Sequence, residues 1–199
     1  MIRTIFPLLV ISCVIALCTQ CKPQESTPIL LAPSHPYSVD ADTLIRNEIQ
    51  KEVEVLNSKL QQGEHGFLAF TGDPSKTDSV EYWAVDNRPI RISLKLDSPE
   101  AMTWPTFFLK DGKIILVRYR NWSKALPMPW AEESMVYYKD GQAFYCDERR
   151  MDLPDNMPPA NLRTMPFVRS ARALSQIEEN YTGYWKQILD VLSREGIKL

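Results

Sequence analysis

The chain has 199 residues, 23 basic and 25 acidic side chains and a formal charge of −2. That balance is too even to point to nucleic acid or another polyanion as its partner. Two histidines and four cysteines leave little for imidazole catalysis or metal chemistry, and seven unclustered glycines exclude a backbone loop that cradles phosphate.

Residues 1–21 have the three parts of an export signal: a basic start with Arg3, an apolar stretch from Ile5 to Leu17, and a small or polar exit before Cys21. The apolar stretch falls short of the roughly 20 residues needed to span about 30 Å of hydrocarbon, and Pro7 lies inside it. After Lys22 the chain carries Pro23, Pro28, Pro33 and Pro36, which predicts an extended tether over residues 21–38.

A signal, a cysteine and a polar tether resemble bacterial lipoproteins, in which signal peptidase II cuts before a cysteine whose thiol is diacylated. The resemblance covers about the first tenth of the chain. It implies a signal peptide over 1–20, an acylated Cys21, and attachment to a membrane at the periplasmic face or outer membrane of the envelope. Two or three acyl chains suffice for that, at roughly 0.8 kcal/mol per buried methylene. The family places a small residue before the cut, whereas Gln20 precedes Cys21 and Leu17 precedes Cys18. Val10-Ile11-Ser12-Cys13 fits better but leaves the apolar CVIAL segment on the mature chain. Cys21 therefore ranks ahead of Cys18 and Cys13. Cys146 is then the lone cysteine of the folded part, so no internal disulfide supports it. A single domain is predicted over 39–199, long enough to bury a core of its own.

In chain order, DADTLIRNEIQKEVEVLNSKLQQG (40–63) carries Ile45, Ile49, Val53, Leu56 and Leu60 on one helical stripe. Asp40 or Asp42 is placed to cap it, and Gly63 to close it in the left-handed region. From Gly66 to about Glu148 the period changes to 2. GFLAF (66–70) is a candidate edge strand. Ile90, Ile92, Leu94 and Leu96 alternate with Arg91, Ser93, Lys95 and Asp97, as in a strand with one face in a core and one in water. FFLKDGKIILVRY (107–119) and VYYKDGQAFYC (136–146) each set Asp-Gly between aromatic and β-branched runs, which predicts type I′ hairpins. YWAVDNRPI (82–90) predicts a third, looser turn at Asp86-Asn87-Arg88-Pro89. The even spacing of Asp86, Asp111 and Asp140 is read as turn chemistry rather than as an internal repeat. Pairing across Asp140-Gly141 sets Lys139 opposite Gln142, Tyr137 opposite Phe144 and Met135 opposite Cys146.

Proline predicts two long loops, at 121–134 and 151–167, because it donates no backbone hydrogen bond. Residues 169–195 place Leu174, Ile177, Tyr181, Tyr184, Ile188 and Leu192 on one helical face, with Gly196 as the stop and Gly183 implying a kink or close packing. The expected fold is α+β: an N-terminal helix, an antiparallel meander of about six strands and a C-terminal helix, with both helices on one face of the sheet. Aromatic residues ahead of Asp-Gly in an exported, tethered chain resemble small lipoproteins of Gram-negative bacteria, a resemblance that carries no activity over.

Chemistry-bearing residues are few. His35 lies in the tether, and His65 in GEHG reads as a solvated loop residue. Cys146 lies beside methionine and aromatic side chains with nothing to lower its pKa, so it reads as a small hydrophobe. Asp147, Glu148, Asp152 and Asp155 match no calcium-loop spacing and enclose Arg149 and Arg150, so no metal or cofactor is assigned. Four tryptophans remain, Trp83, Trp104, Trp122 and Trp130, with Arg118, Tyr119, Arg120 and Lys124 around Trp122. Trp104, Trp122, Trp130, Arg118 and Arg120 are the candidate ligand contacts, suited to a sugar ring, an anionic glycan or a peptide. The expected function is that of a lipid-anchored envelope protein, a non-catalytic binding or accessory protein for another envelope protein or polymer. The alternative is an enzyme acting on cell-wall or polysaccharide material through carboxylates the sequence does not single out.

Overall fold

A computed structural model describes residues 40–69, 78–124, 129–153 and 159–199, all within the compact unit Val39–Leu199. The segments read as an export signal and a tether, with Cys13, Cys18, Cys21 and His35, lie outside the described residues, as does Asp155.

Helix α1 spans Ala41–Lys59, and the Asp40 side chain caps it by accepting from the Asp42 amide at 3.3 Å. Ile49, Val53 and Leu56 of the expected stripe are buried, with Ile45 packed beside them. Gly63 does not close the helix in the left-handed region. A Cβ there would sit 2.6 Å from the Ala84 carbonyl oxygen, so this glycine lets the chain pass close to the sheet.

Eight strands follow in an antiparallel meander in which every strand pairs with its chain neighbours: β1 Glu64–Ala69, β2 Ser79–Val85, β3 Arg88–Asp97, β4 Ala101–Lys110, β5 Lys113–Ser123, β6 Trp130–Lys139, β7 Gln142–Asp152 and β8 Val168–Arg169. The expected six are β2 to β7. The candidate edge strand adds β1, which carries His65 out of its predicted loop, and the two-residue β8 closes the other edge.

Three tight turns set the register. φ is 53° and 60° at Asp86-Asn87, 51° and 74° at Asp111-Gly112, and 52° and 81° at Asp140-Gly141. Positive φ at both central residues is the type I′ requirement, so the turn expected to be looser matches the other two. Each hairpin also slips register at the same distance before its turn, between Trp83 and Ala84, Phe108 and Leu109, and Tyr137 and Tyr138. The last slip corrects the expected pairing: Lys139 does face Gln142, but Tyr137 faces Tyr145 and Val136 faces Cys146.

Proline excludes less of the chain from the sheet than expected. Residues 121–123 complete β5, residues 130–134 begin β6, and Pro159–Thr164 forms a 3-10 turn. Pro105 lies inside β4. The β3–β4 register is unchanged on either side of it, but the ladder skips the positions of Trp104 and Pro105, where an N–H is missing.

Helix α2 spans Leu174–Arg194, and Gly196 ends it at φ 71° as the Ile197 amide reaches back to the Leu192 carbonyl at 2.9 Å. Its Ile177, Tyr181, Ile188 and Leu192 pack with Phe107, Val117, Val136 and Cys146. The immediate neighbours of those strand residues, Phe108, Leu116, Tyr137 and Tyr145, pack instead with Ile49, Val53 and Leu56 of α1. Consecutive strand residues point to opposite faces. The two helices therefore cover opposite faces of the sheet, which corrects the expectation that they share one. Ile92 and Leu94 join the α2 core, while Ile90, beside the β2–β3 register slip, joins the α1 core. No helix among the described residues is long and apolar enough to cross a membrane.

Gly183 is exposed on α2, and a Cβ there would meet nothing within 4 Å, so close packing does not explain it. Gly183→Ala should therefore raise stability by about 0.5–1 kcal/mol through backbone entropy alone. Gly141→Ala, equally free of contacts, should lower it by about 1–2 kcal/mol, because alanine resists positive φ. Urea midpoints at unchanged slope check both.

Candidate functional site

The α1 face of the sheet extends beyond α1. The helix packs over Phe108, Leu116, Tyr137 and Tyr145, close to the turns at Asp111 and Asp140. Farther along the same strands, cross-strand register builds two polar rows on that face. Trp104, Arg120, Glu133 and Arg149 stand opposite one another on β4 to β7. Glu81, Ser93, Thr106 and Arg118 do so on β2 to β5.

Glu133 is the hub, its side chain only 3% exposed. Oε1 accepts from Arg118 Nε and, at 3.0 Å, from Arg120 Nε; Oε2 accepts from Arg149 Nη2 and, at 2.9 Å, from Arg149 Nε. Burial alone would raise the Glu133 pKa. Hydrogen bonds from Arg118 and Arg149, the charge of Arg118 and the bond from Arg120 outweigh it and hold the carboxyl at about 2. Arg149 Nη1 donates to the carbonyls of Arg163 and Met165 at 3.0 and 3.1 Å, and its guanidinium lies 4.2 Å from the centre of the Phe167 ring. It ties the chain after β7 down onto the sheet. The Arg118 and Arg120 side chains remain 35% and 41% exposed, and among the described residues nothing accepts from their Nη groups.

A cavity of about 490 Å³ opens over this hub, walled by Trp104, Trp122, Ala131 and Leu162, with Arg120, Glu133 and Arg163 among its polar groups. A smaller pocket of about 160 Å³ shares Trp104 and Arg120 with it and adds Trp83, Arg91 and Arg118. The structure thus brings Trp104, Trp122, Arg118 and Arg120 to one face. Trp130 is on the other. Arg150 lies 4.4 Å over its ring, and Trp130 lines a cleft of about 280 Å³ with Tyr119, Glu132, Arg172 and Tyr184. In that region Arg172 Nη2 bonds Glu132 at 2.5 Å and Glu148 at 2.6 Å, and Glu148 also accepts from Ser170 Oγ at 2.7 Å.

The acidic stretch is split by the pleat. Asp147, on the α1 face, pairs with Arg46 at 3.2 Å, while Glu148 points to the α2 face. No three His, Cys, Asp or Glu side chains among the described residues are grouped to hold a metal ion. Lys124, expected beside Trp122, lies 5.8 Å from that ring's centre and is bonded to Asp97 at 2.9 Å. His65 is exposed but not free, stacking on Trp83 at 4.6 Å. Burial pushes the Cys146 thiol up to about 12, as expected of a thiol inside an apolar core. Sequence reasoning left Arg91, Ser93, Thr106, Glu133 and Arg149 out of the site and gave Trp83 no role. The usable signal was parity along each strand, which only a known register converts into neighbours.

No protein-family model, curated protein or solved structure matches this chain.

Glu133→Gln should cost about 3–5 kcal/mol at neutral pH, because three guanidiniums lose their common counter-charge. The depressed Glu133 pKa means its contribution is complete above the ordinary value of 4.5 and is lost as pH falls toward 2. Wild type and variant should therefore converge in urea stability across that acid window, which a pH series of denaturation midpoints checks.

Proposed function

We propose that this chain is a lipid-anchored protein of the cell envelope that binds an acidic envelope polymer, without catalysis, in the cleft on the α1 face. The observation that carries the reading is the union of two indole walls, Trp104 and Trp122, with the part-exposed guanidinium of Arg120 in one cleft, and of Arg118 in the adjoining pocket that shares Trp104 and Arg120 with it. Indole faces stack on sugar rings, and guanidinium forks take the oxygens of acidic groups. Glu133 is locked by its arginines and holds no proton near neutral pH, so it supports binding rather than acid catalysis.

The rival reading, an enzyme acting on cell-wall or polysaccharide material, finds its best carboxylate pair in Glu132 and Glu148. Both are engaged by one Arg172 nitrogen and anchor the residues after β8 to β6 and β7. The binding reading is therefore the one the geometry favours. Attachment rests on the lipoprotein-like signal ending at Cys21, and the apolar cores on both faces suit a soluble body held beside a bilayer.

Two measurements test this reading. Dextran sulfate and polygalacturonate should change the tryptophan fluorescence of the detergent-solubilised protein and neutral dextran should not, with Trp104→Ala and Trp122→Ala each weakening the response by about tenfold. Silence toward both acidic polymers would end the binding reading. Mass spectrometry of the membrane-extracted protein should find a chain beginning at an acylated Cys21; a chain beginning at Met1 with no acyl mass would end the anchor.

A further inference from the structure

Beyond Trp104 lies the smaller pocket of about 160 Å³, crossed by the row Glu81, Ser93, Thr106 and Arg118. The Ser93 and Thr106 hydroxyls meet there at 3.0 Å, and Asn57 of α1 contributes an amide to the lining. Arg91 enters from β3, Arg118 and Arg120 from β5. The Arg91 guanidinium lies 3.6 Å from the centre of the Trp83 ring, and its Nε is buried with no hydrogen-bond partner. A buried donor left unpaired destabilises the fold, because its lost hydration is not replaced. The folded chain keeps Arg91 in place with that one donor unsatisfied.

The electrostatics point the same way. Burial lowers the Arg91 pKa, Glu81 opposes that, and the charge of Arg120 lowers it further, so the two guanidiniums stand close enough to repel. Arg91, Arg118, Arg120 and Arg149 face the two carboxylates Glu81 and Glu133, which leaves two positive charges in excess. The chain as a whole carries −2. A local surplus of cations, with a buried Arg91 Nε that has no partner and Nη groups on Arg118 and Arg120 from which no described residue accepts, is an ion cluster open to an anion.

Donor number selects the anion. A carboxylate offers two coplanar oxygens and is matched by one guanidinium fork. Here three guanidiniums and two hydroxyls line one small pocket, which suits three or four oxygens pointing in different directions. We infer that this pocket binds a tetrahedral oxyanion, a phosphate or sulfate group, either free or as an ester on the polymer whose sugar ring lies against Trp104. The polymer-borne form rests on the binding reading proposed above; the anion pocket rests on its own residues. Arg91, Arg118 and Arg120 hold the charge, the one hydroxyl proton that the Ser93–Thr106 bond leaves over donates to a further oxygen, and no covalent bond changes.

The test titrates the full-length protein in detergent at low salt with sodium sulfate, inorganic phosphate and acetate. Sulfate and phosphate should each give a saturable change in tryptophan fluorescence through Trp83 and Trp104, and acetate none at the same concentrations. Arg91→Gln and Arg118→Gln should each weaken sulfate binding by about 10- to 100-fold, the loss of a charge-assisted contact. Ser93→Ala should weaken it by a smaller factor with no change of charge, which keeps the idea testable if an arginine variant does not fold. Lys186→Gln, on the exposed side of α2, should bind as wild type does. A non-saturable sulfate response, an equal response to acetate, or binding indifferent to both Arg91→Gln and Ser93→Ala overturns the pocket. Competition of dextran sulfate with free sulfate identifies an ester on a polymer as the natural form, and binding of the free ions alone identifies a free anion. Silence toward sulfate and phosphate while polygalacturonate still binds removes this inference and leaves the cleft reading; sulfate binding without any polymer binding does the reverse.

Discussion

Glu133 accepts hydrogen bonds from three arginines carried on β5 and β7, the strands on either side of its own. Two guanidiniums about 5 Å apart repel by roughly 3 kcal/mol at an effective dielectric of 20. A face that carries several of them beside one another folds only if a counter-charge stands among them. The carboxylate meets that need and orients the forks as well. Arg118 and Arg120 approach it through Nε, and no described residue accepts from their Nη groups. Arg149 turns its remaining donor onto the carbonyls of Arg163 and Met165, so the same cluster that makes the surface cationic also fixes the chain bordering it.

That cluster exists only because register is exact to one residue. A slip of one on any strand would send Trp104, Arg120 or Glu133 to the α2 face. The three hairpins protect the register in the same way, each with a left-handed pair at its turn and one extra residue, Ile90, Ile115 or Phe144, bulged at one fixed distance after it. A type I′ turn does not require a bulge, so turn chemistry alone does not explain the likeness. Asp86, Asp111 and Asp140 mark one structural unit used three times, and the repeat that their sequence spacing left as the weaker reading has structural content.

Much of the fold was legible in the sequence because its signals are local. The α1 stripe, the Asp-Gly turns and the α2 face each lie within a few turns or residues of chain, and each is where it was expected. The placement of the helices was not legible. The alternation of Ile90 to Leu96 with polar residues suggested a sheet with one wet face, whereas FFL at 107–109 and VYY at 136–138 are apolar on both faces, as strands between two helices must be. The site was legible in part for a related reason. Trp104, Trp122, Arg118 and Arg120 share even numbers on two strands whose register happens to keep them together. Trp130 is close to Trp122 in the chain but pairs beside it with opposite parity, across Ser123. Arg91 and Ser93 read as the solvent side of a strand, and only the neighbours supplied by β2 and β4 turn them into the wall and floor of a pocket.

The cleft follows from a shortage of cover. The five central strands, β3 to β7, are ten or eleven residues long and the others shorter; at about 3.4 Å per residue and about 4.8 Å between strands, the eight together make a face on the order of 1,100 Å². One helix of 19 residues is about 28 Å long and 10 Å wide, so α1 shields roughly a quarter of its side. The uncovered remainder cannot be aliphatic without inviting aggregation, nor can it be thinly polar while it abuts a packed core. Tryptophan and arginine resolve the conflict, since each lays a broad apolar or weakly hydrated plane over its neighbours and leaves a polar edge for water or a ligand. Trp83 between His65 and Arg91 shows the device in its simplest form, three flat groups from β1, β2 and β3 stacked in register. A surface built in that way to protect a sheet is already aromatic, cationic and concave, which are the three properties a site for an acidic sugar polymer requires.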